Sequence, residues 1–180
     1  MPMFLRKIIH RLYVMLMGVS VRFGPSERHQ AFVGSGSSHQ LSQHIIRTGV
    51  KKLLVVTDKP LRELGVVEQV IQPLLESDVD IAYYDGVLPD PTYDQVAEGV
   101  VVAKSHGSEA ILAIGGGSSI DAAKIIAASA TSDEDPRDWV GFGKVKHDVV
   151  TLYVVPTTSG TGSEATMGAV ISDPVSHEKG

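Results

Sequence analysis

Glycines and short hydroxyl side chains are concentrated in two turns, and both kinds of residue favour phosphate binding. The first turn comprises Gly115, Gly116, Gly117, Ser118 and Ser119. An apolar run over Ala110–Ile114 precedes it, and a helical pattern begins at about Ile120. Glycines let a phosphate approach the backbone, and the free N–H groups at the start of a helix attract an anion. The stretch therefore predicts a buried strand, a phosphate-binding turn and a helix.

Local capping is a simpler interpretation of the same turn. Ser118 would cap the following helix, and Asp121, three residues later, would act as its capping-box partner. Capping and phosphate binding use the same N–H groups, so the two interpretations are compatible. Three consecutive glycines exceed what a cap requires, and we therefore favour phosphate or dinucleotide binding.

The second polar turn, residues 156–164, follows an apolar run over Thr151–Val155. Its five hydroxyl residues are Thr157, Thr158, Ser159, Thr161 and Ser163. In a parallel sheet, the ends of successive strands lie on one edge, so we expect this turn near the first. Hydroxyl donors suit pyrophosphate or nicotinamide groups, and a surface loop rich in turn-forming residues is the alternative.

An acidic residue, Asp58, ends the predicted strand that begins at Lys51. A carboxylate at the end of a parallel strand can accept hydrogen bonds from a ribose, and its charge repels a 2′-phosphate. Asp58 is equally suited to cap a helix that begins at Lys59. The residues leave these two roles open.

The elements that would position these residues alternate between strands and helices. Strands are predicted at about 31–34, 51–58, 79–84, 110–114, 151–155 and 165–171. Amphipathic patterns between the strands predict helices that end at glycines or prolines. This alternation predicts an α/β, Rossmann-like fold, a mostly parallel sheet with helices on both faces.

Composition excludes several other chemistries. The 180 residues contain no cysteine, so a thiolate nucleophile and a cysteine metal site are excluded. The net charge of −5 argues against nucleic acid as a partner. The histidines form no metal-binding pair at helical spacing, and we expect surface or packing roles for each. They are His10, His29, His39, His44, His106, His147 and His177.

Residues 1–30 are basic, with a net charge of +4, whereas the rest of the chain carries −9. Phe4, Ile8, Leu12 and Met15 fall on one face of a predicted helix. We interpret this segment as an amphipathic N-terminal extension that packs on the protein. A membrane-surface helix and a signal peptide are the alternatives. No apolar run is long enough to cross a bilayer.

The last residues, Ile171 to Gly180, are typical of a strand that enters a hairpin turn. The sequence offers no return strand, so the edge of the sheet would stay unpaired. We therefore expect a truncated chain, with residues 31–180 forming one dinucleotide-binding domain.

Four ordered segments resemble the iron-containing (group III) alcohol dehydrogenases. They are Gly115–Lys124, Pro156–Glu164, Val56–Leu61 and Asp85–Thr92. The resemblance covers about residues 30–180 and implies an N-terminal nucleotide-binding domain followed by a helical, metal-binding domain. That second domain is absent from these residues, so no ligand of the implied Fe²⁺ or Zn²⁺ is assigned here.

The resemblance also implies a role for each site residue. Gly115, Gly116, Gly117 and Ser118 would hold the pyrophosphate of NAD, and Asp121 would lie near the cofactor. Thr157, Thr158, Ser159 and Thr161 would contact phosphate, ribose or nicotinamide. Asp58 would bind the adenine ribose and favour NAD over NADP.

The function implied is that of an NAD-dependent, metal-dependent alcohol dehydrogenase acting on a primary or small alcohol. This chain would be the cofactor-binding part, inactive in isolation. A glycerol dehydrogenase-like or dehydroquinate synthase-like enzyme and a non-catalytic nucleotide-binding module are the alternatives. The expected partners are an alcohol or aldehyde substrate and a second copy in a homodimer, in the cytoplasm.

Overall fold

The computed structural model describes residues 3–23, 30–141, 143–175 and 179–180. The chain divides into two compact units, Met1–Val33 and Gly34–Gly180. The first unit contains helix α1 (Met3–Phe23), and the strands formed by the described residues belong to the second unit. None of the described helices combines the length and the apolar character needed to cross a membrane.

A four-stranded parallel sheet forms the centre of the second unit. Its strands are β1 (Lys52–Val56), β2 (Asp80–Tyr84), β3 (Ala110–Gly115) and β4 (Thr151–Pro156). Their order is β2-β1-β3-β4, so β1 and β3 are the inner strands. The connection after β1 runs to β2 at one edge of the sheet, and the connection after β3 runs to β4 at the other edge. The sequence prediction of a parallel α/β sheet is confirmed.

Helices cover both faces of this sheet, also as predicted. They are α2 (Ser37–Thr48), α3 (Lys59–Glu63), α4 (Val66–Leu75), α5 (Tyr93–His106) and α6 (Gly117–Ser129). Short 3₁₀ turns occur at Pro136–Trp139 and Ser163–Ala165. Glycine ends two helices, because Gly49 and Gly107 adopt left-handed φ angles of 82° and 70°.

Alternating side chains of the buried strands form two separate apolar clusters. Leu54 and Val56 of β1 belong to the cluster that includes residues of α5 and α6. Leu53 and Val55, which point to the opposite face, belong to the cluster that includes residues of α2 and α4. Strands buried on both faces explain why β1 and β3 are continuous apolar runs.

Thr92 is the N-cap of α5, and it forms half of a capping box with Gln95. Thr92 Oγ1 accepts a hydrogen bond from the Gln95 N–H at 3.5 Å. Gln95 Oε1 accepts instead from the Leu88 N–H at 3.3 Å, so its side chain fastens the preceding loop.

Two predicted strands are wrong. Residues 31–34 form no strand, and residues 166–170 are irregular after the 3₁₀ turn at Ser163–Ala165. In the second case the cause is visible. Side chains of α6 bond the backbone there, since Lys124 Nζ donates to the Gly168 carbonyl and Asp121 Oδ2 accepts from the Val170 N–H. Those backbone groups are then unavailable to a strand ladder.

The expectation of an unpaired edge after Ile171 is also wrong. Ile171 and Gly180 exchange two backbone hydrogen bonds of 3.0 Å each, and Ser172 forms an antiparallel bridge with Lys179. Ser172 also bonds the loop before α5, because its N–H donates to the Pro91 carbonyl at 2.9 Å. The segment thus pairs with later residues and with the body of the unit.

Candidate functional site

The two polar turns lie side by side at the carboxyl edge of the sheet. Gly115 is in register with Pro156, and the Thr157 N–H donates to the Gly115 carbonyl at 2.9 Å. A Cβ atom at Gly116 would stand 3.2 Å from Thr158 Oγ1, and one at Gly117 would stand 3.3 Å from Ser163 Oγ. The glycines and the hydroxyls therefore line one surface.

The first turn leads directly into α6, which begins three residues earlier than the sequence pattern predicts. Gly116 is the N-cap, and no side chain caps this end of the helix. The Ile120 N–H donates to the Gly116 carbonyl at 3.1 Å, so the N–H groups of residues 117–119 precede the helical hydrogen-bond ladder. These free donors, together with the helix dipole, favour an anion.

The predicted capping by Ser118 is wrong, because Ser118 lies inside the helix. Gly116, at the N-cap, has no side chain, and this leaves the first-turn donors free for a ligand. Gly115 is needed for packing, since a Cβ atom there would collide with the side chain of Ser119, which is buried.

The hydroxyl turn is open to solvent. Thr157, Thr158, Ser159 and Thr161 are exposed, whereas Gly116, Gly117 and Ser118 are half-buried beside them. Thr161 Oγ1 donates to Glu164 Oε2 at 3.0 Å, so its hydroxyl already has a carboxylate acceptor. A ligand anion can thus reach the helix N-terminus from solvent.

Asp121 and Lys124 form a small network one turn further along α6. Lys124 Nζ donates to Asp121 Oδ1 at 3.1 Å, to Thr166 Oγ1 at 3.3 Å and to the Gly168 carbonyl at 2.6 Å. Asp121 Oδ2 accepts from the Val170 N–H at 3.2 Å. Both carboxylate oxygens of Asp121 therefore bond protein groups, and both side chains of the pair are only 13% exposed.

Sequence reasoning missed this role of Lys124. The spacing of three residues between Asp121 and Lys124, which suits an ion pair on one helix face, was the available signal.

Asp58 caps a helix, one of the two roles that the sequence left open. Asp58 Oδ1 accepts a hydrogen bond from the Leu61 N–H at 2.9 Å. Leu61 in turn approaches the glycine turn, since its Cδ1 is 3.8 Å from the position of a Cβ on Gly115. The half-buried Asp58 thus follows β1 as the glycine turn follows β3, and the chain reverses direction between these two strands. Open α/β sheets bind ligands at such a point.

The histidines that the structure describes have separate environments. His39 Nε2 and His147 Nε2 bond the carbonyl oxygens of Gln69 and Ala128, each at 2.9 Å, while His106 Nδ1 bonds Ser108 Oγ at 2.9 Å. His29 and His177 lie outside the described residues. Within the part of the chain that the structure describes, no three His, Cys, Asp or Glu side chains form a group suited to a metal ion.

The chain is similar in sequence to proteins of one known family. The family model for iron-containing alcohol dehydrogenases matches residues 29–180. The NAD-dependent methanol dehydrogenase of Bacillus methanolicus is 39% identical over 141 residues, which cover 78% of this chain and 37% of that protein. Lactaldehyde reductase of Escherichia coli K12 is 36% identical over 151 residues, covering 83% and 40% respectively.

The structural comparison agrees. A crystal structure of 1,3-propanediol oxidoreductase matches with a TM-score of 0.78 and 32% sequence identity, over 83% of this chain and 39% of that one. The chain therefore spans between 37% and 40% of the length of these three proteins.

Proposed function

This chain belongs to the iron-containing alcohol dehydrogenase family, and from that premise we propose that it is the NAD-binding part of a metal-dependent alcohol dehydrogenase. The observation that carries the proposal is the contact between the glycine turn and the hydroxyl turn at the uncapped start of α6. The uncapped first-turn N–H groups beside an exposed hydroxyl turn are the donors that a pyrophosphate would use.

The glycine positions fit a dinucleotide. Side chains at Gly116 and Gly117 would fill the gap toward Thr158 and Ser163, and their absence leaves the first-turn N–H groups accessible. Gly115, Gly116, Gly117 and Ser118 would hold the pyrophosphate through backbone N–H groups.

The hydroxyl turn supplies neutral donors beside this charge. Thr157, Thr158, Ser159 and Thr161 would contact phosphate, ribose or nicotinamide, and their exposed hydroxyls can reorient to suit a ligand. Asp121 would support the site from one helical turn away, by holding residues 166–170 together with Lys124.

Asp58 would combine two roles. Its Oδ1 caps α3, and its Oδ2 would accept a hydrogen bond from a ribose hydroxyl of the adenosine half. The carboxylate charge would disfavour a 2′-phosphate, so we propose NAD rather than NADP as the cofactor.

Bound NAD would supply the hydride acceptor, and a divalent metal would supply Lewis-acid polarisation of the alcohol oxygen. The residues of this chain would bind and orient the nicotinamide for that transfer. We assign none of them as a metal ligand.

The substrate class follows from the relatives. Their names refer to methanol, lactaldehyde and 1,3-propanediol, so we propose a small alcohol or its aldehyde as the substrate. A cytoplasmic homodimer is part of the same proposal and rests on the family alone.

Calorimetric titration of the 180-residue chain with NADH tests the cofactor proposal. We expect one saturable site for which NAD and ADP-ribose compete, because both contain the pyrophosphate. A chain that binds neither NADH nor NADPH would contradict the proposal. Turnover is tested separately, by alcohol-dependent NAD reduction in a protein that joins this chain to a metal-binding part; nucleotide binding without turnover there would favour a non-catalytic module.

A further inference from the structure

Helix α1 lies in a stretch of the chain with an unusual charge. The first 26 residues contain no Asp or Glu, and α1 carries the basic residues Arg6, Lys7, Arg11 and Arg22 together with His10. The family match begins at residue 29, so α1 lies outside the part of the chain on which the proposed function rests.

The helix separates three of its four basic residues from most of its apolar ones. Successive residues of an α-helix are turned by about 100°, which places one apolar group on less than half of the circumference. That group is Phe4, Leu5, Ile8, Ile9, Leu12 and Met15. Arg6, Lys7 and Arg11 lie outside that arc, whereas Arg22 has the same helical angle as Phe4 at its edge. Apolar residues interrupt the basic side, namely Met3, Val14, Met17 and Val21.

Within its own unit, Met1–Val33, the apolar side of α1 is exposed. Phe4 is 74% exposed, Leu12 is 59% exposed and Met15 is 71% exposed. A continuous apolar stripe of this kind marks a surface that binds a partner.

The charge of α1 selects that partner. A helix with large apolar residues on one side and Arg or Lys on the other suits the boundary between the acyl chains and the anionic headgroups of a bilayer. We propose that α1 is a peripheral membrane anchor that inserts its apolar side into an anionic lipid surface. The rest of the chain, which has a net charge of −9, is repelled by the same surface, so binding depends on α1.

Flotation of the 180-residue chain with lipid vesicles tests the proposal. Vesicles of phosphatidylcholine that contain phosphatidylglycerol are compared with vesicles of phosphatidylcholine alone, at low and at high salt. We expect binding to the anionic vesicles that weakens at high salt, since screening shortens the range of the charge interaction from about 10 Å at 0.1 M to about 3 Å at 1 M. A chain that lacks residues 1–29 is expected to stay unbound.

Two sets of glutamine substitutions measure separately what the basic side and the apolar side of α1 contribute to vesicle binding. Glutamine has a helix propensity close to that of the residues it replaces. Replacing Arg6, Lys7 and Arg11 is expected to weaken partitioning roughly a hundredfold, from about fivefold for each charge. Ile8→Gln with Leu12→Gln is expected to weaken it at least roughly tenfold while leaving the residual binding sensitive to salt. Replacing Lys51, Lys144 and Lys146, which lie outside α1, is the matched control and is expected to change nothing.

Three results would overturn the proposal. Equal binding to neutral and anionic vesicles would remove the role of charge. Self-association through α1 without vesicle binding would identify a second copy as the partner. A loss of stability on removing residues 1–29, again without vesicle binding, would show that the extension packs on the protein instead.

Discussion

The three consecutive glycines of the first turn meet different neighbours. At Gly115 a side chain would collide with buried Ser119, so this position is fixed by packing within the turn. At Gly116 and Gly117 a side chain would instead press on hydroxyl residues of the second turn, at 3.2 Å and 3.3 Å. Substitutions at Gly116 and Gly117 therefore test the proposed ligand surface, whereas a substitution at Gly115 tests packing.

We expect Gly116→Val to weaken NADH binding at least roughly tenfold, the equivalent of one charge-assisted hydrogen bond of about 1.5 kcal/mol. The branched side chain would crowd Thr158 and cover the first-turn donors. Calorimetric titration measures the affinity, and circular dichroism checks that the fold survives. Lys146→Val is the matched control, because Lys146 is exposed and lies outside both polar turns. Unchanged affinity in Gly116→Val would count against the phosphate turn.

A substitution at Asp58 can test its proposed role in cofactor preference while keeping its role as a helix cap. Asp58→Asn keeps an oxygen that can accept from the Leu61 N–H, so we expect stability to change little. It removes the charge that would face a 2′-phosphate, and two charges 4 Å apart repel by about 1 kcal/mol in water and about 4 kcal/mol near a protein surface. NADPH affinity should therefore rise at least about fivefold relative to NADH affinity.

The ratio of the two dissociation constants, measured by fluorescence titration, decides this prediction. Asp58→Gly should shift the ratio in the same direction. A constant ratio in both variants would leave Asp58 with its capping role alone.

At the scale of elements, α6 contributes to the candidate site in two ways. Its N-terminus carries the free donors of the glycine turn, and its second turn carries Asp121 and Lys124. Those two side chains bond residues 166–170, which follow the hydroxyl turn in the chain. One helix therefore positions both polar turns, directly in one case and through side chains in the other.

We expect Lys124→Met to lower the free energy of unfolding by about 1–3 kcal/mol, because it removes three hydrogen bonds of a mostly buried ammonium and leaves Asp121 without its cation. Urea denaturation measures the loss, and hydrogen exchange should show a faster Val170 amide. Lys146→Met, at an exposed position, is the control. Equal stability of the two variants would show that the network contributes little.

At the scale of the molecule, the strand order creates the place where a ligand can bind. The chain leaves β1 toward β2, returns past β1 to β3 and continues to β4, so the ends of β1 and β3 flank a reversal point. Apolar clusters on both faces hold the sheet in this order. Tyr84 of the edge strand β2 makes the stability of this packing depend on pH.

Burial raises the pKa of Tyr84 well above its usual range, and the neighbouring Glu98 carboxylate raises it further. Its hydroxyl donates to the Gln95 carbonyl at 2.6 Å. In the unfolded chain this phenol ionises near pH 10, whereas in the folded chain it stays protonated. The unfolded state therefore binds fewer protons above about pH 10, and stability falls as the pH rises further.

We expect this alkaline loss to have a slope of at most about 1.4 kcal/mol per pH unit for Tyr84, and to be smaller in Tyr84→Phe. The variant should also lose about 1 kcal/mol at neutral pH with the hydrogen bond to Gln95. Denaturation curves collected between neutral and strongly alkaline pH measure both effects. An identical slope in the variant would assign the pH dependence to other groups.

The sequence by itself determined the four strands, the helices between them and the residue types of the candidate site. Those features are local, because a continuous apolar run favours a buried strand and glycine favours a helix end. Gly115, Gly116 and Gly117 and the threonines of the second turn were identified for the same reason.

Only the tertiary structure decided how these parts meet. The contact of Gly116 with Thr158 depends on the register between β3 and β4, and no local pattern encodes that register. The irregular path of residues 166–170 depends on Lys124 and Asp121, more than 40 residues earlier in the chain. Contacts between distant residues compete with local propensity. In residues 166–170 those contacts prevailed, because side chains of α6 bond the backbone groups that a strand would have used.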